Sequence, residues 1–446
     1  LRRPSVAAVA WPVVTPERVR IGLLGCGNVG SALVDLVRTR SDAIASRTGL
    51  RLEIARVAVR SLAKARPVEL PDGVLTLDAP GVVVDPDVDL VVELIGGVEP
   101  ARELVLAALK AGKPVVTGNK ELLAVAGAEL FAAAEAAGVD LLFEAAVGGG
   151  IPFIRPLRES LAGERIDRIM GIVNGTTNYI LTRMTEEGVS YADALAEAQQ
   201  LGYAERDPTA DVEGHDAAAK AAIIASIAFG VRVVAGDVHD EGISGITTAD
   251  IAYARKMGYV IKLLAIAEQV EGPEGEAGEV AVRVHPAMVP ADHPLASVRD
   301  SFNAIFVEGA AVGDLMFYGR GAGGSPTASA VLGDVIDAAL NRTRGSHATV
   351  GTLGKARIRP IDEVESAYYI NMDVFDRPGV LAAVAGVFGA HDVSIRSMEQ
   401  EGLGAEARLV FITHVAREAA VQATLRDLHQ LDAVDRITSV LRVIGG

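Results

Sequence analysis

The chain has 446 residues, of which half are hydrophobic, and its 42 lysine and arginine residues against 58 aspartate and glutamate residues give a formal net charge of −16. This acidic balance, with no basic run interleaved with aromatic residues, disfavours nucleic acid as a partner. A single cysteine, Cys26, excludes a disulfide framework and a cysteine-based zinc site, and it suits a reducing cytoplasm.

The N-terminal segment contains a short apolar run that is interrupted by Pro12, which makes a poor signal peptide. We therefore expect a disordered arm over residues 1–18 and a cytoplasmic protein. The most apolar stretch, residues 217–234, contains Lys220 and Arg232, so it predicts a buried helix rather than a membrane span.

The first folded segment combines a strand, a glycine-rich turn and a helix. Residues 19–24 form an apolar run that predicts a buried strand, and residues 31–39 have the apolar spacing of a helix. The turn between them matches G-x-G-x-x-G, a motif in which backbone N–H groups at a helix start bind a pyrophosphate. The alternative is a structural turn in some other α/β domain. We expect this turn to bind a dinucleotide through Gly25, Gly27, Asn28, Val29 and Gly30.

The second predicted strand, residues 50–59, ends in a basic residue, Arg60. Sites that prefer NAD usually carry an acidic residue at this strand end, where it binds the ribose hydroxyls. Here Glu53 lies in mid-strand, while Lys64 and Arg66 follow Arg60. We therefore expect NADP as the coenzyme; NAD is the alternative, with Arg60 as a solvated strand-end residue.

Strands and helices continue to alternate through the rest of this domain. Strands are predicted over residues 89–94, 114–117 and 140–145, and helices over residues 100–111 and 121–137. This alternation predicts a parallel, doubly wound sheet, in which ligands bind at the carboxyl ends of the strands. Lys120 lies at such an end and is a candidate second cation of an active site; an exposed surface charge is the alternative.

The nucleotide-binding domain is predicted to close with EAAVGGGIP, residues 144–152. Backbone carbonyls exposed by consecutive glycines, together with the carboxylate of Glu144, suit a hard cation. The alternative is a flexible hinge between two domains.

The second domain is predicted over residues 151–318 as a mixed sheet with helices. Its first strand, residues 164–173, leads into a polar turn at residues 174–178, which offers donors to a small polar substrate or to a nicotinamide amide. The alternative is a glycine turn with a threonine as the N-cap of a helix. Further strands are predicted over residues 261–270, 280–289, 303–308 and 314–318. A second glycine-rich turn, residues 319–325, and a helix over residues 326–340 bring the chain back to the nucleotide-binding domain.

The stretch LGYAERDPTADVEGHDAAAK, residues 201–220, sets several carboxylates ahead of one lysine, Lys220. Asp216 and Lys220 are four residues apart on a predicted helix, so they share one face. Carboxylates favour the protonated form of a nearby lysine, which suits a proton donor to a developing alkoxide, and they also suit a substrate ammonium. The alternative is an acidic helix start with one surface ion pair worth about 0.3–0.5 kcal/mol.

A polar linker is predicted over residues 342–364, followed by a small third domain over residues 365–446. Its elements are expected in the βαββαβ order of ferredoxin-like folds, with strands at 367–375, 393–399, 407–415 and 436–444 and helices at 378–390 and 417–430. Two such sheets commonly pair edge to edge around a ligand; a dimerisation module without a ligand is the alternative.

Motifs along most of the chain resemble those of the homoserine dehydrogenase family, in its long bacterial form with a C-terminal ACT domain. They are GCGNVG (25–30), VELIGG (92–97), TGNKELLA (117–124), EAAVGGGIP (144–152), NGTTNYIL (174–181), GYAERDPTADVEGHDAAAK (202–220) and YGRGAGGSPTASAV (318–331). They follow that family's order and separations over about residues 19–445. The resemblance implies a Rossmann-type nucleotide domain, a mixed-sheet catalytic and dimerisation domain, and a ferredoxin-like ACT regulatory domain.

The resemblance also implies roles for individual residues. Lys220 matches the general acid that protonates an aldehyde oxygen, and Lys120 matches a second lysine that polarises this oxygen and touches the nicotinamide. The carboxylates that hold the lysines and the substrate ammonium match Glu205, Asp211 and Asp216. The polar turn described above adds Asn174, Gly175 and Thr176 as candidate substrate contacts. A sodium site falls on Glu144, Val147, Gly149 and Ile151, and positions near the nucleotide on Gly202 and Gly321.

The implied reaction is the reversible NADPH-dependent reduction of L-aspartate 4-semialdehyde to L-homoserine, on the route to threonine, methionine and isoleucine. Feedback by L-threonine and a homo-oligomer, a dimer or a tetramer, are implied as well, with neither nucleic acid nor membrane as a partner. Two alternatives stay open: another Rossmann amino-acid dehydrogenase, of the aspartate or saccharopine type, and a non-catalytic amino-acid sensor.

Overall fold

The computed structural model describes residues 16–270, 278–351, 353–355, 357–402 and 406–445. Most of the arm that the sequence predicts over residues 1–18 lies outside the described residues. Its last two residues, Glu17 and Arg18, are not part of an arm, because they open the first strand of the nucleotide-binding sheet.

The N-terminal domain alternates strands and helices as the sequence predicts. Its elements are β1 (Glu17–Leu24), α1 (Asn28–Thr39), α2 (Ser41–Thr48), β2 (Leu50–Ala58), β3 (Leu75–Thr76), α3 (Ala79–Val84), β4 (Leu90–Glu93), α4 (Ala101–Lys110), β5 (Val115–Thr117), α5 (Lys120–Ala137) and β6 (Leu141–Leu142). The sheet is parallel, in the order β3-β2-β1-β4-β5-β6. This is the strand order of dinucleotide-binding folds, so the predicted doubly wound domain is confirmed.

The second domain is a mixed sheet covered by helices. Its elements are β7 (Ile166–Ile172), α6 (Gly175–Glu187), α7 (Tyr191–Gln200), α8 (Thr209–Val212), α9 (His215–Phe229), β8 (Val231–Arg232), β9 (His239–Asp240), α10 (Thr248–Lys256), β10 (Tyr259–Val270), β11 (Glu279–Pro290), β12 (Phe302–Gly309) and β13 (Gly313–Arg320). The chain then returns to the first domain as α11 (Gly324–Arg344), whose apolar residues share a buried core with those of α1.

The C-terminal part has the predicted ferredoxin-like order. Its elements are β14 (Gly354–Lys355), β15 (Glu365–Phe375), α12 (Val380–Ala390), β16 (Ile395–Gly402), β17 (Glu406–Thr413), β18 (Ala416–Arg417), α13 (Glu418–Leu428) and β19 (Val434–Val443). Its main strands lie in the order β19-β15-β17-β16, with antiparallel pairing between neighbours.

The sheets of the second and third domains are one continuous sheet. Strand β19 pairs in parallel with β11, through Ala287 opposite Arg442 and Met288 opposite Val443. The result is an 11-stranded sheet whose main path runs β13-β12-β7-β10-β11-β19-β15-β17-β16. The sequence predicted the two sheets separately but not this join. It connects the small domain directly to the sheet on which residues 201–220, here called the acidic segment, are supported.

Helix α5 of the first domain packs against α9 of the second, and their apolar residues belong to one buried core. This contact brings the start of α5, at Lys120, to Asp216 in the first turn of α9. No helix within the described ranges combines the length and the apolar character needed to cross a membrane.

Candidate active site

Lys120 is held at the carboxyl edge of the parallel sheet by a set of polar contacts. The Thr117 hydroxyl donates to Glu93 at the end of β4 (Oγ1 to Oε2, 2.6 Å). The Asn119 amide donates to the Gly97 carbonyl (2.7 Å), and its oxygen accepts the N–H of a residue in the first turn of α5. These contacts join the ends of β4 and β5, so Lys120 starts α5 where ligands of such sheets bind.

Asp216 is the buried centre of the candidate site. It lies in the first turn of α9, and its side chain is only 8% exposed. Its Oδ2 is 2.7 Å from Nζ of Lys220, and its Oδ1 is 2.8 Å from Nζ of Lys120. The alternative of a surface ion pair at an acidic helix start is therefore wrong, because two lysines from different domains share one buried carboxylate.

The charges at this centre reinforce one another. Burial alone would raise the pKa of the Asp216 carboxyl, but the ammonium groups of Lys220 and Lys120 outweigh burial and lower it. Burial likewise lowers the pKa of Lys120, but the charge of Asp216 outweighs it and the net pKa is raised. At neutral pH the carboxylate is thus ionised and Lys120 is charged.

Lys220 is the less exposed of the two lysines, at 12% of its side chain against 36% for Lys120. Its Nζ donates to Asp216 and to the Val173 carbonyl, both at 2.7 Å. An ammonium has three N–H donors, so among the described residues one donor is left for a ligand. A partly exposed ammonium with one open donor suits proton transfer to a bound oxygen.

The predicted polar turn at residues 174–178 is instead the N-cap and first turn of α6. Asn174 caps the helix by accepting the N–H of Thr177 (2.9 Å). Its amide donates to Asp216 (2.9 Å) and to Asp211 (2.7 Å), so it bridges two of the predicted carboxylates. Asn174 therefore positions the acidic residues, a role that the sequence did not predict for it.

The neighbouring predicted substrate contacts are partly used inside the protein. The Thr176 hydroxyl donates to the Tyr203 carbonyl (2.7 Å), which ties α6 to the acidic segment and removes this donor from a substrate. A Cβ at Gly175 would lie 2.7 Å from the Ser301 carbonyl, so a glycine is needed there for packing. Glu205 is exposed at the surface of the acidic segment.

The glycines of the first turn divide into two that the fold requires and one that it does not. A Cβ at Gly25 would lie 2.6 Å from the Leu94 carbonyl, and one at Gly30 would lie 2.3 Å from the Gly25 carbonyl. A Cβ at Gly27 would meet nothing within 4 Å. Open space over the start of a helix fits an incoming pyrophosphate, which binds backbone N–H groups at such a place.

The second glycine-rich turn has a structural explanation of its own. A Cβ at Gly149 would lie 2.2 Å from the Gly321 carbonyl, and one at Gly321 would lie 2.0 Å from the Asn303 side chain. Two backbone segments therefore cross at these glycines, where the chain enters the second domain and later leaves it. A role of Gly321 and of the exposed Gly202 near the nucleotide stays a prediction.

The Glu144 carboxylate was expected to bind a cation. In the structure it accepts hydrogen bonds from backbone N–H groups instead. Its Oε1 accepts the N–H of Phe153 (2.5 Å) and of Ile154 (2.7 Å), and its Oε2 accepts the N–H of Arg155 (2.8 Å). It caps the turn that starts the second domain. No group of three or more histidine, cysteine or acidic side chains within the described residues suits a metal ion.

Comparison with known proteins decides the family. Family models match residues 25–144 as the homoserine dehydrogenase NAD-binding domain, residues 152–336 as homoserine dehydrogenase and residues 368–433 as an ACT domain. Homoserine dehydrogenase of Corynebacterium glutamicum is 53% identical over 95% of each chain. The chain belongs to the homoserine dehydrogenase family.

Solved homoserine dehydrogenases have the same fold. The crystal structure from Thiobacillus denitrificans matches with a TM-score of 0.90 and 43% identity, over 96% of this chain and 98% of that one. A hyperthermophilic archaeal homoserine dehydrogenase in complex with NADPH matches with a TM-score of 0.62 and 29% identity, over 73% of this chain and 98% of that one. The protein is therefore a homoserine dehydrogenase-type oxidoreductase with an ACT domain, and the predicted family and fold class are confirmed.

Proposed function

We propose that this protein catalyses the reversible reduction of L-aspartate 4-semialdehyde to L-homoserine with NADPH, in the synthesis of threonine, methionine and isoleucine. The observation that carries the proposal is the Asp216 carboxylate between the ammonium groups of Lys120 and Lys220, at 2.8 and 2.7 Å. Bound NADPH supplies the hydride that reaches the aldehyde carbon. The protein has to supply the proton for the oxygen and hold the substrate.

Lys220 donates this proton through its open N–H, and Lys120 stabilises the negative charge that develops on the same oxygen. Asp216 keeps both side chains oriented, since each ammonium contacts a different oxygen of its carboxylate. A positioned general acid typically contributes about 10²–10⁴-fold to a rate. Preorganised charge in a partly buried site adds stabilisation without reorganisation during the reaction.

The acidic segment holds the amino group of the substrate in this proposal. Asp211 is half-buried and is fixed by the Asn174 amide at 2.7 Å, so it presents a rigid acceptor. Glu205 is exposed on the same segment and completes the binding of the ammonium. A substrate that carries both an amino group and a carbonyl oxygen can then contact the carboxylates and the lysines at the same time.

NADP rather than NAD is the coenzyme that the second strand favours. Arg60 is exposed just after the end of β2. The guanidinium of Arg66 stabilises the turn that follows, because it donates hydrogen bonds to the carbonyls of Ser61 (2.6 Å) and Lys64 (2.8 Å). Glu53, the only acidic residue on β2, pairs with Arg18 and lies away from the strand end. A basic strand end suits a 2′-phosphate, and the related archaeal enzyme is a complex with NADPH.

The monovalent cation site stays a prediction, in a revised form. Because three backbone N–H groups occupy the Glu144 carboxylate, we propose that sodium binds the backbone carbonyls of Val147, Gly149 and Ile151. The homo-oligomer and the cytoplasmic location also stay predictions.

Feedback by L-threonine through the ACT domain is supported by an ionic connection centred on a buried arginine. Arg442 on β19 pairs with Glu418 at the start of α13 (2.8 Å) and with Glu241 in the second domain (2.9 Å). Burial would raise the pKa of Glu241, but the His239 hydrogen bond and the charge of Arg442 outweigh it and lower the pKa to about 2. The pair of Arg442 and Glu241 is therefore charged at physiological pH.

Glu241 opens a segment that packs directly on the acidic segment. The N–H of Ile243 donates to the Val212 carbonyl (2.8 Å), and a Cβ at Gly242 would lie 2.4 Å from that same carbonyl. Val212 follows Asp211 and closes α8. A shift of β19 caused by an effector would thus move residues beside the substrate carboxylates.

Replacing Lys220 tests the proposed reaction. We expect Lys220→Met to lower kcat for homoserine oxidation by at least about 100-fold, because the general acid is lost, and to leave the Kd for NADP⁺ unchanged. Steady-state kinetics and a fluorescence titration with nucleotide measure the two effects, and Lys110→Met on the surface of the first domain is the control. Wild-type turnover in Lys220→Met would refute the assignment of the proton donor.

Replacing Arg60 tests the coenzyme. Loss of a charged hydrogen bond to a phosphate is worth about 1.5–3 kcal/mol, so we expect Arg60→Ala to raise the KM for NADP⁺ by roughly 10–100-fold. The KM for NAD⁺ should stay unchanged. Arg51 lies on the same strand and pairs with Asp42, so Arg51→Ala is the control, and it should change neither the KM for NADP⁺ nor the KM for NAD⁺. Equal effects on the two nucleotides would contradict a contact with the 2′-phosphate.

Replacing Arg442 tests the regulatory connection. We expect Arg442→Met to weaken inhibition by L-threonine by about tenfold while calorimetry shows threonine binding within threefold of wild type, since the coupling and not the effector site is removed. Arg436→Met is the control, because its side chain is 66% exposed and its partner Asp373 keeps Arg408. Unchanged inhibition in Arg442→Met, or a wild type that threonine neither binds nor inhibits, would contradict this route.

A further inference from the structure

A buried lysine outside the candidate active site has no carboxylate partner. Lys262 lies on β10 and is 2% exposed, and no acidic side chain in the described part of the chain forms an ion pair with its ammonium. Burial lowers its pKa to about 8, so at neutral pH the charged side chain costs folding free energy instead of contributing it. The reason for this buried charge therefore has to lie in the groups that it contacts.

The ammonium of Lys262 joins a helix to a loop. Its Nζ donates to the side-chain oxygen of Asn178 on α6 (3.0 Å) and to the Val298 carbonyl (2.5 Å). The Asn178 amide is in turn directed at the carbonyls of Val298 (3.4 Å), Asp300 (2.9 Å) and Phe302 (3.2 Å). Lys262 and Asn178 together therefore hold the loop of residues 298–302.

This loop has a backbone conformation that has to be held in place. Asp300 has a φ of 53°, a left-handed conformation that costs a non-glycine residue about 1 kcal/mol or more. The next residue, Ser301, places its carbonyl oxygen 2.7 Å from where a Cβ of Gly175 would stand. The loop thus rests on the first residue of α6.

The first turn of α6 is the part of this helix that reaches the candidate active site. Gly175 follows Asn174, whose amide bridges Asp216 and Asp211 at 2.9 and 2.7 Å. An unbroken set of contacts therefore runs from Lys262, through the loop, to the carboxylates that hold Lys220 and the substrate ammonium.

We propose that Lys262 is a positioning residue of the reaction: its ammonium holds the 298–302 loop against the start of α6 and so sets the positions of Asn174 and Asp211. Asp216 is held directly by Lys120 and Lys220, so its position does not depend on this loop. This inference rests on the proposed function in using L-homoserine as the substrate. Its consequence is that substrate binding depends on the charge of a side chain that touches neither substrate nor coenzyme.

Three charged side chains in the described part of the chain act on the pKa of Lys262. Glu186 of α6 and Asp300 raise its pKa, and Arg299, which pairs with Glu186 at 2.8 Å, lowers it. Arg255 of α10 and Tyr259 of β10 line the same cavity, whose volume is about 420 Å³. None of these groups replaces the ammonium between Asn178 and Val298.

Variants at Lys262 test the proposal through the KM for homoserine. We expect Lys262→Met to raise this KM by about tenfold, with kcat within about threefold and the KM for NADP⁺ unchanged, because one charged hydrogen bond that orders the acidic segment is lost. Lys113→Met is the matched control: Lys113 is also buried, burial lowers its pKa, and it donates to a backbone carbonyl, but it lies in the first domain. A wild-type KM in Lys262→Met would overturn the proposal.

The pH dependence supplies a test that needs no neutral variant. Lys262→Arg stays charged at all accessible pH values, so the ratio of the wild-type KM to the Lys262→Arg KM should rise from pH 7 to pH 9 as wild-type Lys262 loses its proton. Ionisation of homoserine itself changes the KM of both enzymes by the same factor, so it does not affect the ratio. A ratio that is constant over this range overturns the proposal, even where Lys262→Met fails to fold. A wild type that does not oxidise homoserine would instead refute the proposed function.

Discussion

The carboxylate of Asp216 is the interaction on which the rest of the structure depends. It is buried, and a buried carboxylate without partners would lose its charge or destabilise the fold. Lys220 reaches it from the next turn of its own helix, and Lys120 from a domain whose sheet is separate. The two ammonium groups that stabilise the buried carboxylate are the same two that the proposed chemistry requires. The ion pairs of Asp216 therefore determine both the stability of this centre and its catalytic geometry.

Other parts of the fold serve to bring these three side chains together. The contacts of Thr117 and Asn119 place Lys120 at the start of α5, and the packing of α5 on α9 aligns it with Asp216. The crossing of the backbone at Gly149 and Gly321 fixes where the two domains meet. The shared sheet then connects the ACT domain to this assembly, so one framework supports both the candidate site and its proposed regulation.

Much of this could be predicted from the sequence, and the failures have physical reasons. The i, i+4 spacing of Asp216 and Lys220 predicts their contact, since it depends on one helix only, whereas the contact of Asp216 with Lys120 depends on the packing of two domains. Helices α2 and α3 were missed because SDAIASRT has little apolar character and APGVVV is rich in residues that favour strands. The capping role of Glu144 and the junction of β11 with β19 depend on backbone groups, which carry no residue-specific pattern.

The central claim is that the negative charge of Asp216 holds both lysine side chains in their positions, and the kinetics of Asp216→Asn test it most directly. Asparagine has nearly the same shape but leaves two ammonium groups without their counter-ion. We expect kcat for homoserine oxidation to fall by about 100-fold or more while NADP⁺ binding persists. Asp207 is exposed in the same acidic segment as Asp216, so Asp207→Asn is the control and should keep wild-type turnover. An Asp216→Asn enzyme with kcat within a few-fold of wild type would contradict the account.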